Sequence, residues 1–290
     1  MPKNLTPQLE GADRLLVFGG PYSNLQATQA MRAEAVRLGI GPEHTICTGD
    51  VVAYCANPVE TVAQIRNWGV HVVAGNCEQQ LAADADDCAC GFEEGSACDV
   101  LAKGWYAYAD RQVEHDDRVW MGGLPDEARF TWAGTRFRVV HGACGETSRF
   151  AFPSEHGVIA EQLAACDADV VIAGHSGIPF GHTIDGQFWF NAGVIGQPAN
   201  DGTQDGWYGL LGRSNASITF QMRRLHYDFA TARAAVLAAG YADPYGETLG
   251  SGIWPNDHIL PDKEKDAAGT AIEPITFVFP TAARAEECAA

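Results

Sequence analysis

The sequence predicts an α/β protein built around a parallel sheet, and three observations carry that prediction. Short apolar runs stop abruptly at glycine, at residues 14–19, 44–48 and 70–74. Between them lie two stretches with apolar residues at helical spacing. The order is therefore β-α-β-α-β, which implies parallel strands joined by right-handed crossovers.

Taken in order, 14–19 (RLLVFG) reads as a buried strand ending at Gly19-Gly20-Pro21. Residues 24–38 place Leu25, Ala27, Met31 and Ala35 on one helical face. Residues 44–48 form a second strand, stopped by Gly49-Asp50, and 58–68 a second helix. Residues 70–74 form a third strand, stopped by Gly75-Asn76. The stretch 84–99, rich in Gly, Asp and Cys, reads as an inserted loop, and 101–120 as one helix. Residues 130–132 and 135–140 are strands around Ala133-Gly134; 155–166 is a helix and 169–173 a strand. Residues 182–184 and 188–191 flank Asp185-Gly186, a strong hairpin signal. Strands at 206–211 and 217–225 and a helix at 229–239 follow. After Ala242 the pattern changes: 261–269 is charged and expected to be solvated, 275–279 is an added strand, and 282–290 a frayed tail. One α/β domain over 1–245, with an extension and tail over 246–290, is expected.

Composition narrows the function. The chain has 290 residues, 46% apolar and 19% charged, enough for a large core. No apolar run approaches the ~20 residues of a membrane span, and the first residues lack the apolar segment of a signal peptide. A cytoplasmic location is expected, with no membrane partner. There the nine cysteines are free thiols, core residues or metal ligands. A net charge of −18 without a basic run argues against a nucleic-acid polymer as partner. A bound metal can still make a local positive spot for a small phosphorylated substrate. Nothing in the sequence specifies an oligomeric state.

The polar residues cluster at strand ends. Asp50, Asn76, His141 and His175 each follow a predicted strand. In an open α/β sheet these ends share one edge, where ligands bind. A carboxylate, an amide oxygen and two imidazoles suit Mn, Fe or Zn. Taken singly, Asp and Asn after a strand are ordinary turn formers and helix caps; four together indicate a site.

The motifs are Thr48-Gly49-Asp50, Gly75-Asn76-Cys77-Glu78, Val140-His141-Gly142, Gly174-His175-Ser176-Gly177 and Asn191-Ala192-Gly193-Val194-Ile195-Gly196-Gln197-Pro198. Over about 15–211 this series resembles the calcineurin-like metallophosphoesterase superfamily, in particular its small prokaryotic phosphodiesterase branch with diadenosine-tetraphosphatase-like proteins. Gly252-Ile253-Trp254-Pro255 also resembles endings seen there. The resemblance implies a layered sandwich of two mixed β-sheets flanked by helices. It also implies a two-metal site in which Asp50, Asn76, His141 and His175 hold one metal. Three positions depart from the family. Where it places an Asp, a His and a last His for the other metal, this chain has Gly20, Tyr22 and Gly177.

The expectation is a metal-dependent phosphoesterase, acting on a phosphodiester or nucleotide-type small substrate through one divalent ion (Mn, Fe or Zn). A second ion would need a rebuilt site, with Tyr22 as a phenolate ligand; the plainer reading is a ring filling the vacated space. Asn76, Cys77 and His141 are the catalytic candidates, with Cys77 where many relatives carry a catalytic His. Tyr22, Asn24, Arg149 and His182 are the substrate-binding candidates. Cys88, Cys90 and Cys98 could hold zinc, but a loop with small buried cysteines fits the C-x-C spacing better. Two rivals remain. One is an inactive relative that binds a phosphorylated ligand or a protein. The other is a serine hydrolase using Ser176, whose G-x-S-x-G elbow lacks its last glycine because Ile178 stands there.

Overall fold

A computed structural model describes residues 3–9, 11–91, 93, 95–241 and 243–281. The chain runs β1 (Asn4–Leu5), β2 (Arg14–Phe18), α1 (Leu25–Leu38), a 3-10 turn, β3 (Thr45–Cys47), α2 (Pro58–Trp68), β4 (His71–Val72), α3 (Asn76–Ala82), α4 (Ala97–Asp110), α5 (His115–Gly123), β5 (Glu127–Trp132), β6 (Thr135–Val140), α6 (His156–Cys166), β7 (Val170–Ala173), β8 (Phe180–Ile184), β9 (Gln187–Asn191), β10 (Gly206–Arg213), β11 (Ser217–Leu225), α7 (Phe229–Ala239), α8 (Asp243–Ser251), α9 (Asp262–Asp266) and β12 (Thr276–Pro280).

The strands form two six-stranded mixed sheets, ordered β1-β5-β6-β7-β9-β8 and β12-β11-β10-β2-β3-β4. In the second sheet β2, β3 and β4 are parallel, β10 pairs antiparallel with β2, β11 antiparallel with β10 and β12 antiparallel with β11. The central strands β2 (after Arg14) and β7 are apolar throughout because both faces are covered. On β2, Leu15 and Val17 point into the core between the sheets, while Leu16 and Phe18 point into the core under the helices. On β7, Val170 and Ile172 face the inter-sheet core, and Val171 and Ala173 face α6. This period of two produces an α/β/β/α stack.

Several expectations need correction. The helix expected over 101–120 is two helices, α4 and α5. Arg118 makes the break, since its guanidinium donates to the carbonyls of Leu81 and Asp110 and pairs with the Asp110 carboxylate. The segment 261–269 is largely exposed, as expected, but contains α9, whose buried Glu264 accepts from the Ser154 N–H and hydroxyl. The helix α8 was not foreseen, since its Pro and Gly argue against helix; burial of Tyr245 and Leu249 overrides that propensity. The added strand does form, as β12 on the edge beside β11. The tail at 282–290 lies outside the described residues. The cysteines are not all free: Cys88 pairs with Cys90 and Cys144 with Cys166 as disulfides, while Cys47, Cys55 and Cys77 are free and buried. The Cα separations, 5.2 and 5.5 Å, lie in the bridging range. No helix among the described residues is long and apolar enough to cross a membrane.

Candidate metal centre

The loops after β2, β3 and β9 are laced together by backbone hydrogen bonds. Gly20 N–H donates to Gly49 O, Tyr22 N–H to Asp50 O, Ser23 N–H to Val51 O and Gly196 N–H to Gly20 O, at 2.8–3.1 Å. The irregular loops thereby continue the β2–β3 pairing beyond the strands. Asp50 sits in this lacing at φ 54°, in the left-handed region, and is 3% exposed. The loop after β4 comes so close that a Cβ on Gly75 would lie 2.1 Å from Asp50 Oδ1, so glycine is required there. Glu78, on the first turn of α3, ties the two loops. Its carboxylate accepts from the N–H groups of Asp50 (2.8 Å), Gly75 (2.9 Å) and Val52 (3.2 Å).

Four side chains then converge. From His141 Nε2 it is 3.2 Å to Asp50 Oδ2, 3.1 Å to Asn76 Oδ1 and 2.9 Å to His175 Nδ1. Their outer atoms fix which donors face inward. His141 Nδ1–H donates to Thr48 O at 2.7 Å, leaving the Nε2 lone pair for the centre. Asn76 Nδ2 donates to Cys88 O at 2.8 Å, turning its carbonyl oxygen inward. Asp50 Oδ1 accepts from Cys77 N–H at 3.3 Å. Oxygen and nitrogen donor atoms thus converge in a buried space, where either a proton on His141 Nε2 or a cation satisfies them. These residues therefore fit a divalent metal with mixed O and N ligands. Among the described residues, Asp50, His141 and His175 form the one group of three or more His, Cys, Asp or Glu side chains close enough to share an ion.

The charges support one another. Burial works against the Asp50 carboxylate, but His141 and then His175 hold its pKa below the usual range. Burial likewise opposes the His141 imidazolium, and Asp50 overrides it and raises the pKa. Burial, reinforced by His141, lowers His175 to about 3, so its ring is neutral and able to ligate. Its Nε2 has no hydrogen-bonding partner among the described residues, although the backbone of Cys90 and Ser148 lies near. Phe150 stacks on the His175 ring at 4.3 Å.

The positions of the other metal look different. A Cβ on Gly20 would lie 2.5 Å from Val194 Cγ1 and 2.7 Å from Tyr22 Cζ. The Tyr22 ring packs edge-on against Tyr54 at 4.7 Å. A Cβ on Gly177 would meet Trp254 at 3.4 Å. Around Gly20 the space is taken by Val194 and the Tyr22 ring, while Gly177 lies at ordinary contact distance from Trp254 on the wall of a cleft. Burial, then Asp50, Cys77 and Glu78, push the Tyr22 phenol well above its usual pKa, which disfavours phenolate ligation. The ring-filling reading of Tyr22 matches this packing.

The remaining candidates are dispersed. Asn24 caps α1: Oδ1 accepts from Ala27 N–H at 3.0 Å and Nδ2 donates to Gly196 O at 2.9 Å, so its polar atoms are committed to the backbone. His182 lies on β8 with Nε2 at 2.7 Å from Pro153 O, and neither it nor Arg149 lines the cleft beside His175. Cys77 is buried in the core under α3, its thiol pushed well up by burial and then by Asp50. Cys88 and Cys90 are bonded to each other, and the Cys98 side chain lies outside the described residues. Ser176 Oγ donates to Ala151 O at 2.6 Å and accepts from Ala151 N–H at 3.1 Å. No helix follows it, so the strand-turn-helix of a serine elbow is absent and the serine-hydrolase reading falls. Sequence reasoning assigned no role to Glu78, although it stands in the quoted Gly75–Glu78 motif. It also gave none to Phe150, Tyr245 or Trp254, which line the cleft.

The fold and this cluster define a metallophosphoesterase-type scaffold. Residues 23–212 match the calcineurin-like phosphoesterase superfamily domain, and the chain belongs to that family. It is 23% identical over 253 residues to the uncharacterized protein MJ0912 of Methanocaldococcus jannaschii, covering 81% of this chain and 96% of that one. Among solved structures it resembles a metallophosphoesterase from Sphaerobacter thermophilus, with TM-score 0.65 and 20% identity over 84% of this chain and all of that chain. It also resembles the hypothetical protein PH1004 of Pyrococcus horikoshii OT3, with TM-score 0.68 and 15% identity over 83% of this chain and 99% of that one.

Proposed function

We propose that the protein is a metal-dependent phosphoesterase, hydrolysing a phosphodiester or nucleotide-type small substrate at a centre reduced to one divalent ion. The supporting observation is the convergence of Asp50, Asn76 and His175 on His141 Nε2, beside an apolar packing where the family's other metal would sit. Asp50, Asn76, His141 and His175 would hold the ion, with Mn, Fe or Zn suited to the donor set. Such an ion, when bound, polarises a phosphoryl oxygen and lowers the pKa of a bound water. Around it the chain supplies orientation. Thr48 O fixes the His141 tautomer, Cys88 O fixes the Asn76 amide, and Cys77 acts through its backbone N–H on Asp50 rather than through its buried thiol. His175 also borders the cleft, so a phosphoryl group arriving there meets the centre.

The filled half of the site favours a second reading, a catalytically weak relative that binds a phosphorylated ligand. Metal analysis of the purified chain, paired with a generic phosphodiester assay, separates the two. One ion per chain and turnover abolished in His175→Ala support the enzyme. Bound ligand without turnover, in protein carrying its full complement of Mn, supports the binder.

A further inference from the structure

The cleft beside His175 has walls that a phosphoryl-binding centre does not require. It passes along Gly177 and is lined by Tyr22, Tyr54, Tyr245, Phe150 and Trp254. These rings are held in place. Trp254 Nε1–H donates to Pro198 O at 2.7 Å and its backbone N–H to Asn200 Oδ1 at 2.8 Å. Tyr54 packs against Tyr22 at 4.7 Å and against Tyr245 at 4.8 Å between ring centroids. The cavity measures about 80 Å³. A water needs roughly 10–15 Å³ on that measure, so there is room for about half a dozen, the bulk of one planar ring system. Among the polar groups of the wall, which also include Ser176, Thr248 and Asn256, Gln197 stands out. Gln197 is 5% exposed, with Nε2 at 3.4 Å from Cys55 Sγ and Oε1 without a partner among the described residues. An unmet acceptor costs the free protein stability, and a ligand donor relieves that cost.

We propose that this cleft takes the organic group of the substrate and selects a planar aromatic ring, with the phosphoryl group at the Asp50–His175 cluster. The inference rests on the phosphoesterase reading and names its substrate class: phosphoesters of aromatic or heteroaromatic groups. Rigid, pre-set ring faces bind a flat ligand at little entropic cost, and stacking discriminates it from an aliphatic chain of similar size. In this chain the loss of one metal's ligands has made the selecting surface.

The test measures equilibrium binding of two probes whose P–C bond resists hydrolysis, phenylphosphonate and ethylphosphonate, to the full metal-loaded chain by calorimetry. Phenylphosphonate is expected to bind at least tenfold more tightly. Trp254→Ala should reduce that ratio below threefold while leaving ethylphosphonate within twofold of its original affinity. Tyr245→Leu, which keeps most of the bulk, should lower the ratio in the same direction. His175→Ala should weaken both probes alike. Equal affinity for the two probes in the natural protein overturns the cleft assignment and leaves the phosphoesterase reading standing. Failure of both probes to bind metal-loaded protein overturns that reading, and the cleft assignment with it.

Discussion

At the ends of β3, β4, β6 and β7, four polar side chains face one another around His141 Nε2. A few residues away, after β2 and in the turn beyond β7, Gly20, Tyr22 and Gly177 face Val194, Tyr54 and Trp254 instead. The two regions are tied to each other by the backbone lacing between the loops after β2 and β3. The difference lies in what lines them, converging oxygen and nitrogen donors in one and apolar side chains in the other. It teaches that the second half is walled by side chains, which close the space at Gly20 and leave a cleft beside Gly177. Had the side chain at Gly20 merely been lost, a hole would remain there, and the missing contacts would weaken the lining.

The largest effect should come from the polar half. Asp50→Ala removes the one carboxylate among the four donors. Metal content is expected to fall below a tenth of an ion per chain. Turnover should fall by about 10³-fold or more, since a metal supplies several kcal/mol and each ~1.4 kcal/mol is tenfold. Elemental analysis and a phosphodiester assay check this. Full metal content in the variant would show that the cluster is not the metal's seat.

Next in size is an attempt to make the halves alike. Gly20→Asp, Tyr22→His and Gly177→His together restore the family's donors, but the first and last positions sit at φ 49° and 72°. A Cβ at Gly20 also meets Val194 within 2.5 Å. Overpacking of this kind costs about 1–3 kcal/mol. The triple variant should therefore melt several degrees lower and bind no second ion, and adding Val194→Ala should recover part of the loss. A second ion in the triple variant at unchanged melting temperature would mean that the half is empty after all.

Much of this contrast was legible in the sequence. Asp50, Asn76, His141 and His175 stand directly after apolar runs, and parallel strands bring such positions to one edge. The departures at Gly20, Tyr22 and Gly177 were equally readable against the motifs. What replaces the missing side chains was not. Trp254 and Tyr245 arrive from a segment whose Pro and Gly disguise its helix, and such long-range packing leaves no periodic trace. The break between α4 and α5 was hidden for the same reason, because Arg118 acts on the distant Leu81 carbonyl. Glu78 could be read as part of a motif but not as the tie between two loops.

That tie offers a smaller test, through pH. Burial, then Asp50, raise Glu78 to about 7 from its usual 4.5. A raised carboxyl pKa gives stability that is complete below 4.5 and lost as pH climbs through about 7. His175 runs the other way, since its lowered pKa gives stability above 6.5 that is lost as pH falls toward about 3. The two overlap, so the comparison must be made by difference. In metal-free protein, the stability of the natural chain minus that of Glu78→Gln should shrink between pH 4.5 and 7, by up to about 3 kcal/mol. Chemical denaturation at several pH values measures it. A difference constant across that range would mean that Glu78 is ionised throughout and acts by hydrogen bonding alone.

The smallest effect should come from the loop that orients Asn76. Its Nδ2 donates to Cys88 O, and Ser148 Oγ donates to Ala89 O at 2.6 Å. The short Cys88–Cys90 loop therefore spans from the amide ligand to the strand of chain that carries Phe150 against His175. With the bridge removed in Cys88→Ser/Cys90→Ser, the carbonyl that pins the amide is freer to move. An amide that turns over presents its NH₂ group to the cation, which repels it. Such outer partners typically change metal affinity by about 10–100-fold, and the lower end is expected here because the backbone carbonyl itself survives. A chelator competition titration reads the affinity. A larger loss in Asn76→Ala, with no further loss when the two changes are combined, would show that the loop acts through Asn76. Additive losses would instead place its influence on the His175 side of the site, through Ser148.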